Sequence, residues 1–234
     1  MNTARDLAIA ALTVLPDRLV EQGNLSLALA GAEVVDLIEA RAVALDGDRI
    51  VPGAPAPTGD RLLDEAAASL VRQEPYESVE YWLWRRGQGL SATYVDDLER
   101  SGLTTRSRGR RIPLRTGRTE LVDSPDRRRA EDRRASGEPV FAALATAAGL
   151  RDEPTEQHED NDGPGNGVGL ENSVGLESSE GPENSEGRED GEDLAGEAVT
   201  TVLAVVAGAV QELEAVRQRK TIEDAAFDNV WRGL

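Results

Sequence analysis

Residues 25–45 read LSLALAGAEVVDLIEARAVAL. Leu27, Ala30, Val34, Leu37, Ile38 and Ala42 recur at three- and four-residue spacing, which places them on one face of a helix, and Asn24 stands before them as the expected N-cap. Immediately after, Val43-Ala44-Leu45 and Arg49-Ile50-Val51 flank Asp46-Gly47-Asp48. An Asp-Gly pair favours the positive φ of a tight turn, so a short β-hairpin is expected to follow the helix.

Working outward, a proline-rich crossing from Pro52 to Pro57 leads to Asp60, the expected cap of a helix that turns Leu62, Leu63, Ala66, Ala67, Leu70 and Val71 inward. Pro75 is read as opening the next helix, with Val79, Trp82, Leu83 and Arg86 inward, and another runs from Ser91 with Tyr94, Val95 and Leu98 inward. Leu103 to Arg106 and Ile112 to Leu114 read as two short strands around a basic turn, a wing-like hairpin. Ser124-Pro125 opens a charged helix, and Pro139 to Leu150 reads as a small-residue core helix that buries Phe141, Leu144 and Ala148. Val199, Val202, Val206, Val210, Leu213 and Val216 share the face of a last helix that returns to the core. The fold class is therefore mainly α: a helical bundle of amphipathic helices with short β-hairpins, one of them wing-like.

The chain has 234 residues and a net charge of −18, and residues 152–193 alone hold fifteen Asp and Glu against one Arg. That stretch has no aromatic residue and few aliphatic ones, so burial there cannot offset the entropy of ordering, and disorder is expected. Glycines at 169, 175, 181 and 187 head four drifting hexads, the mark of repeat expansion. The organisation read from this is a helical domain over 1–151, an acidic low-complexity insert over 152–193, and a C-terminal helix within 194–234.

The absence of cysteine excludes disulfides, thiolate metal sites and cysteine nucleophiles. The single histidine, His158, falls in the insert, so neither a triad nor a histidine-anchored metal site has a frame. Asp160-Asn161-Asp162-Gly163 lacks carboxylates at the first and twelfth positions of a calcium loop, and the glycines from 163 to 169 have no phosphate-loop lysine. No catalytic residues, metal or cofactor are expected. Tyr81, Trp82 and Trp84 suggest a stacking platform, but Trp82 beside Val79 and Leu83 fits a buried face better. An acid next to the first arginine, and an uncharged apolar run of only Ala198 to Val210, point to a cytoplasmic protein without a leader or a spanning helix.

Residues 106–134 carry eleven arginines against five acids, a net +6 suited to phosphate. Arg128, Arg129, Arg133 and Arg134 form the candidate headgroup site, with the acidic insert expected to temper the contact. Arg106, Arg108, Arg110 and Arg111 form a competing, wing-borne site for nucleic acid. The plain alternative is that these arginines solvate a helix face or neutralise the insert.

Leu29-Ala30-Gly31-Ala32 through Val34-Val35-Asp36-Leu37, the hairpin after it, and above all Pro57-Thr58-Gly59-Asp60-Arg61-Leu62-Leu63-Asp64-Glu65-Ala66 resemble the Golgi phosphoprotein (GPP) family in its bacterial branch. The likeness continues through Trp82, the Leu98 to Leu103 helix end and Ala143 to Leu150, and reaches the last helix loosely. It implies a helical bundle and a non-catalytic binding module. In eukaryotic members that module is a peripheral membrane protein and sorting adaptor that reads phosphatidylinositol 4-phosphate. The implied partners are an anionic lipid headgroup or membrane surface, or another protein, ahead of nucleic acid. The family's headgroup positions fall here on Glu21, Ala30, Arg133 and Ser136, and the acidic insert stands where the family carries a membrane-inserting hairpin.

Overall fold

Helix α2 (Gln22–Glu39) is buried without a break from Asn24 to Ile38. Leu25, Ala28, Leu29, Ala32 and Val35 cover the sides that the three- and four-residue pattern leaves open, so the helix is apolar all round and must be enclosed. The computed structural model describes residues 2–14, 22–106, 119–150 and 186–232. Among them, α1 (Thr3–Val14), α3 (Arg61–Ala68), α4 (Val79–Arg86), α5 (Leu90–Arg100), α7 (Pro139–Ala147) and α8 (Glu186–Arg232) pack on α2. The mainly helical bundle with short hairpins is as expected, but α2 is its enclosed axis and not an amphipathic surface helix.

Strands β1 (Val43–Asp46) and β2 (Arg49–Pro52) pair antiparallel with Asp46 opposite Arg49, so the turn is Gly47-Asp48. Gly47 has φ 59° and Asp48 is not in the positive-φ region, the pattern of a turn led by glycine, one residue later than the Asp-Gly pair suggested. Arg41 ends α2 at φ 55°, with its N–H donating to Ile38 O and that of Ala42 to Leu37 O, a left-handed helix stop normally filled by glycine.

Several helix starts differ from expectation. Asn24 lies inside α2, not before it, and its amide is spent on α8, donating to Glu214 (3.1 Å) and accepting from Arg217 (2.9 Å). Pro75 opens no helix: Ile50 N–H donates to Glu77 O and Val79 N–H to Asp48 O, so residues 77–79 are tied to the hairpin and α4 starts only at Val79, capped by Ser78. Asp60 does cap α3, accepting from the N–H groups of Leu62 and Leu63, although Val71 is exposed. Strand β3 (Thr104–Arg106) pairs with β4 (Thr119–Leu121), and Ile112 to Leu114, expected as the partner strand, lie outside the described residues.

Helix α6 (Pro125–Ser136) starts at Ser124 as read, and α7 buries Phe141 and Leu144. Helix α8 begins at Glu186, so the last part of the expected insert is helical; residues 151–185, with His158, lie outside the described residues. Val202, Val206 and Val210 are buried as expected, whereas Val216 is exposed. The stretch Ala195–Asp224 is long and apolar enough to cross a membrane by length and composition, contrary to the count of uncharged residues alone. An apolar 18-residue run within it carries at most two charged residues, where the expectation admitted none.

Two contacts fix the core. A Cβ on Gly31 would stand 2.3 Å from Val206 Cγ2, so α8 lies directly on the α2 backbone. Fully buried Trp82 donates its indole N–H to Ala30 O (3.1 Å), joining α4 to α2. Trp82→Ala is expected to cost about 3–5 kcal/mol, read by denaturant unfolding. Arg41→Gly should instead raise stability by about 0.5–1 kcal/mol, since glycine removes the left-handed backbone penalty and returns only part of it as unfolded-state entropy.

Candidate functional site

Ser124 accepts from Arg127 N–H, Pro125 occupies the first turn, and Gly137 at φ 65° ends α6. Helix α6 buries Ala130 and packs on α1, with Arg129 and Arg133 bonded to Asp6 of α1 while Arg128 is exposed. Arg128, Arg129 and Arg133 line a shallow concavity of about 510 Å³ with Pro125, Asp132 and Ser136. Of the four expected site residues, Arg134 is the one that does not line it.

Each arginine of the concavity already holds a carboxylate. Arg128 donates Nε and Nη2 to Asp123 at 3.1 and 2.7 Å. Arg129 donates Nε and Nη2 to Asp6 at 3.1 and 2.9 Å and Nη1 to Asp126 at 2.8 Å. Arg133 donates Nη1 to Asp6 (3.2 Å) and Nη2 to Glu138 (2.6 Å), with both nitrogens near Thr3 Oγ1. Its guanidinium lies 5.3 Å from the Phe141 ring centroid, and its buried Nε has no partner among the described residues. The hydrogen bonds that Arg129 donates to Asp6 hold its guanidinium above its ordinary value.

The local surface is therefore far less basic than the run of arginines. Asp6 of α1 and Glu138 ahead of α7 lie outside residues 106–134, and with Asp123 and Asp126 they offset the arginines that line the concavity. Asp6 stands beside Arg5 at the start of α1, and its sequence neighbours carry no signal of its pairing with α6.

The other positions sort clearly. Ala30 is fully buried with its carbonyl held by Trp82, Ser136 lies in the concavity and donates to Arg133 O (2.9 Å), and Glu21 lies outside the described residues. Arg106 sits in β3, while Arg108, Arg110 and Arg111 lie outside the described residues. Trp82 is core and Tyr81 exposed, so the aromatic platform does not form. No group of three or more potential metal-binding side chains occurs among the described residues. Buried Glu33 takes a two-toothed contact from Arg86 (2.8 Å for each bond) and a hydrogen bond from Tyr94, an internal tie between helices.

The placement of Asp6 depends on α1, and α1 is latched by Asp36 of α2. Its two carboxylate oxygens accept from the N–H groups of Thr3 (2.7 Å) and Ala4 (3.0 Å), so a buried anion caps the first turn of a neighbouring helix. A family model described as Golgi phosphoprotein 3 (GPP34) matches residues 4–163, the span that contains α1, α2 and α6. No curated protein matches the chain.

Burial pushes the Asp36 carboxyl up to about 6, against the pull of the Ala4 and Thr3 amides and with a smaller upward push from Glu39. A carboxyl raised on folding contributes stability that is complete below its unfolded value near 3.8 and is lost as pH rises through about 6. Stability against unfolding should therefore drop by about 2–3 kcal/mol from pH 4 to pH 7 through this group. Carboxyl carbon NMR should place its titration midpoint near 6; a midpoint in the ordinary carboxylate range would refute it.

Proposed function

The chain belongs to the Golgi phosphoprotein 3 (GPP34) family, a family of non-enzymatic binding proteins known for lipid and protein interactions, and on that premise we propose that it is a non-catalytic module for anionic headgroups. The α6 face takes the phosphate of a phosphoinositide such as phosphatidylinositol 4-phosphate at a membrane surface. Arg128 supplies the entry contact, Arg129 and Arg133 form the wall and floor, and Arg134 adds charge beside them. The cytoplasmic face of the membrane is the setting in which such lipids are displayed.

One observation carries this reading: three guanidinium groups border one open concavity, and the outermost is weakly held. The side chains of Arg128 and Asp123 are 66% and 69% exposed, so their ion pair is worth about 0–1 kcal/mol and a phosphate can displace the carboxylate. A guanidinium fork suits phosphate oxygens as well as carboxylate oxygens. Helix α8 adds an apolar stretch compatible with membrane association, while its Val202, Val206 and Val210 face is committed to the core.

The full chain should co-sediment with phosphatidylcholine vesicles carrying phosphatidylinositol 4-phosphate and not with phosphatidylcholine alone. Binding should weaken as salt shortens the Debye length from about 30 Å at 0.01 M to about 8 Å at 0.15 M. Replacing Arg128 and Arg134 with Gln should weaken it roughly thirtyfold, at about 1 kcal/mol per cation near an anionic surface. Equal binding to both vesicle types, or binding to duplex DNA only, would overturn the headgroup reading.

A further inference from the structure

Asp6 is fully buried, and its two oxygens accept from the guanidinium groups of Arg129 and Arg133 at 2.9 to 3.4 Å, both from a helix far away in sequence. Two guanidinium groups converging on one anion is the arrangement that binds a phosphate. Here the anion is supplied by the protein itself. Arg133 is also held by Glu138 and Thr3, so losing Asp6 would leave it partly anchored. Arg129 differs: its side chain is 45% exposed, it borders the concavity, and its remaining acid, Asp126, is on the surface side of α6.

From this geometry we infer that Asp6 is an internal competitor for the arginine fork, holding the α6 site in a low-affinity state, and that helix α1 is the strap which keeps it there. The inference rests on the headgroup reading of α6 and adds its regulation. An external phosphate in the concavity must draw Arg129 away from Asp6, and this leaves a buried carboxylate with fewer partners. That loss opposes binding for as long as α1 stays docked. Any partner or condition that lifts the first turn of α1 off Asp36 removes the competitor and turns Arg129 outward. Docking of α1 and phosphate occupancy are thereby negatively coupled, and the coupling is reciprocal.

The test uses the full chain and its Asp6→Asn variant, each titrated with inorganic phosphate by thermal shift and with the phosphoinositide vesicles by co-sedimentation. Asp6→Asn should bind phosphate about tenfold more tightly than the parent, the scale of one additional charge-assisted hydrogen bond, and the increase should vanish when Arg129→Gln is added. Unchanged phosphate affinity, with or without a lower melting temperature, overturns the inference, because a purely structural ion pair would lower stability alone. An increase that survives Arg129→Gln overturns it as well. Should Asp6→Asn not fold, Asp6→Asn with Arg133→Gln preserves the buried charge balance, and its phosphate affinity is compared with that of Arg133→Gln under the same criteria. Tighter phosphate binding without vesicle binding sustains the internal competitor and sinks the headgroup reading. Vesicle binding by the parent without any tightening in the variant does the reverse.

Discussion

Complete enclosure of α2 sets the terms for everything around it. A buried helix cannot leave polar side chains unpaired, and α2 buries four of them, each satisfied by a neighbouring helix. Asn24 bonds α8, Ser26 accepts from the Ser91 N–H at the start of α5, Glu33 takes Arg86 of α4 together with Tyr94 of α5, and Asp36 caps α1. Apolar packing alone would let these helices slide or rotate on a small-residue cylinder. The four polar ties fix the register of α1, α4, α5 and α8 on α2.

The candidate site inherits its geometry from that axis. Asp36 fixes α1, α1 presents Asp6, and Asp6 orients Arg129 and Arg133 on α6. Position and charge are thus coupled: the same carboxylate that aligns the arginines also neutralises them. An electrostatic reading of α6 must include acids that arrive from helices remote in sequence.

Features with a local cause were legible in the sequence, and features with a remote cause were not. Asp60 and Ser124 act as caps because a cap needs only its own next three residues, and the hairpin needs only Gly47 and its flanks. Trp82 was recognisable as core because its neighbours at helical spacing are apolar. Asn24 and Pro75 misled because their surroundings overrode local preference: a bridge to α8 in one case, a backbone tie to the hairpin in the other. The four arginines were recognisable as a group, but their partners Asp6, Thr3 and Glu138 were not, since ion pairing across the fold leaves no periodic trace.

The direct seating of α8 on Gly31 joins parts of the chain that lie far apart, across the connection that runs from Ala148 to Ser185. The entropy cost of bringing two chain segments together grows only with the logarithm of the number of residues between them, so one added or deleted hexad changes it by about 0.1 kcal/mol. Fold selection therefore exerts almost no pressure on the number of repeats in that connection. The hexads headed by Gly169 and Gly175 lie within that connection, whereas the one headed by Gly187 already belongs to α8, so the tolerance of repeat number applies only ahead of the helix that Val206 seats on Gly31. A repeat tract of any such length can therefore join two segments that a single steric contact holds together.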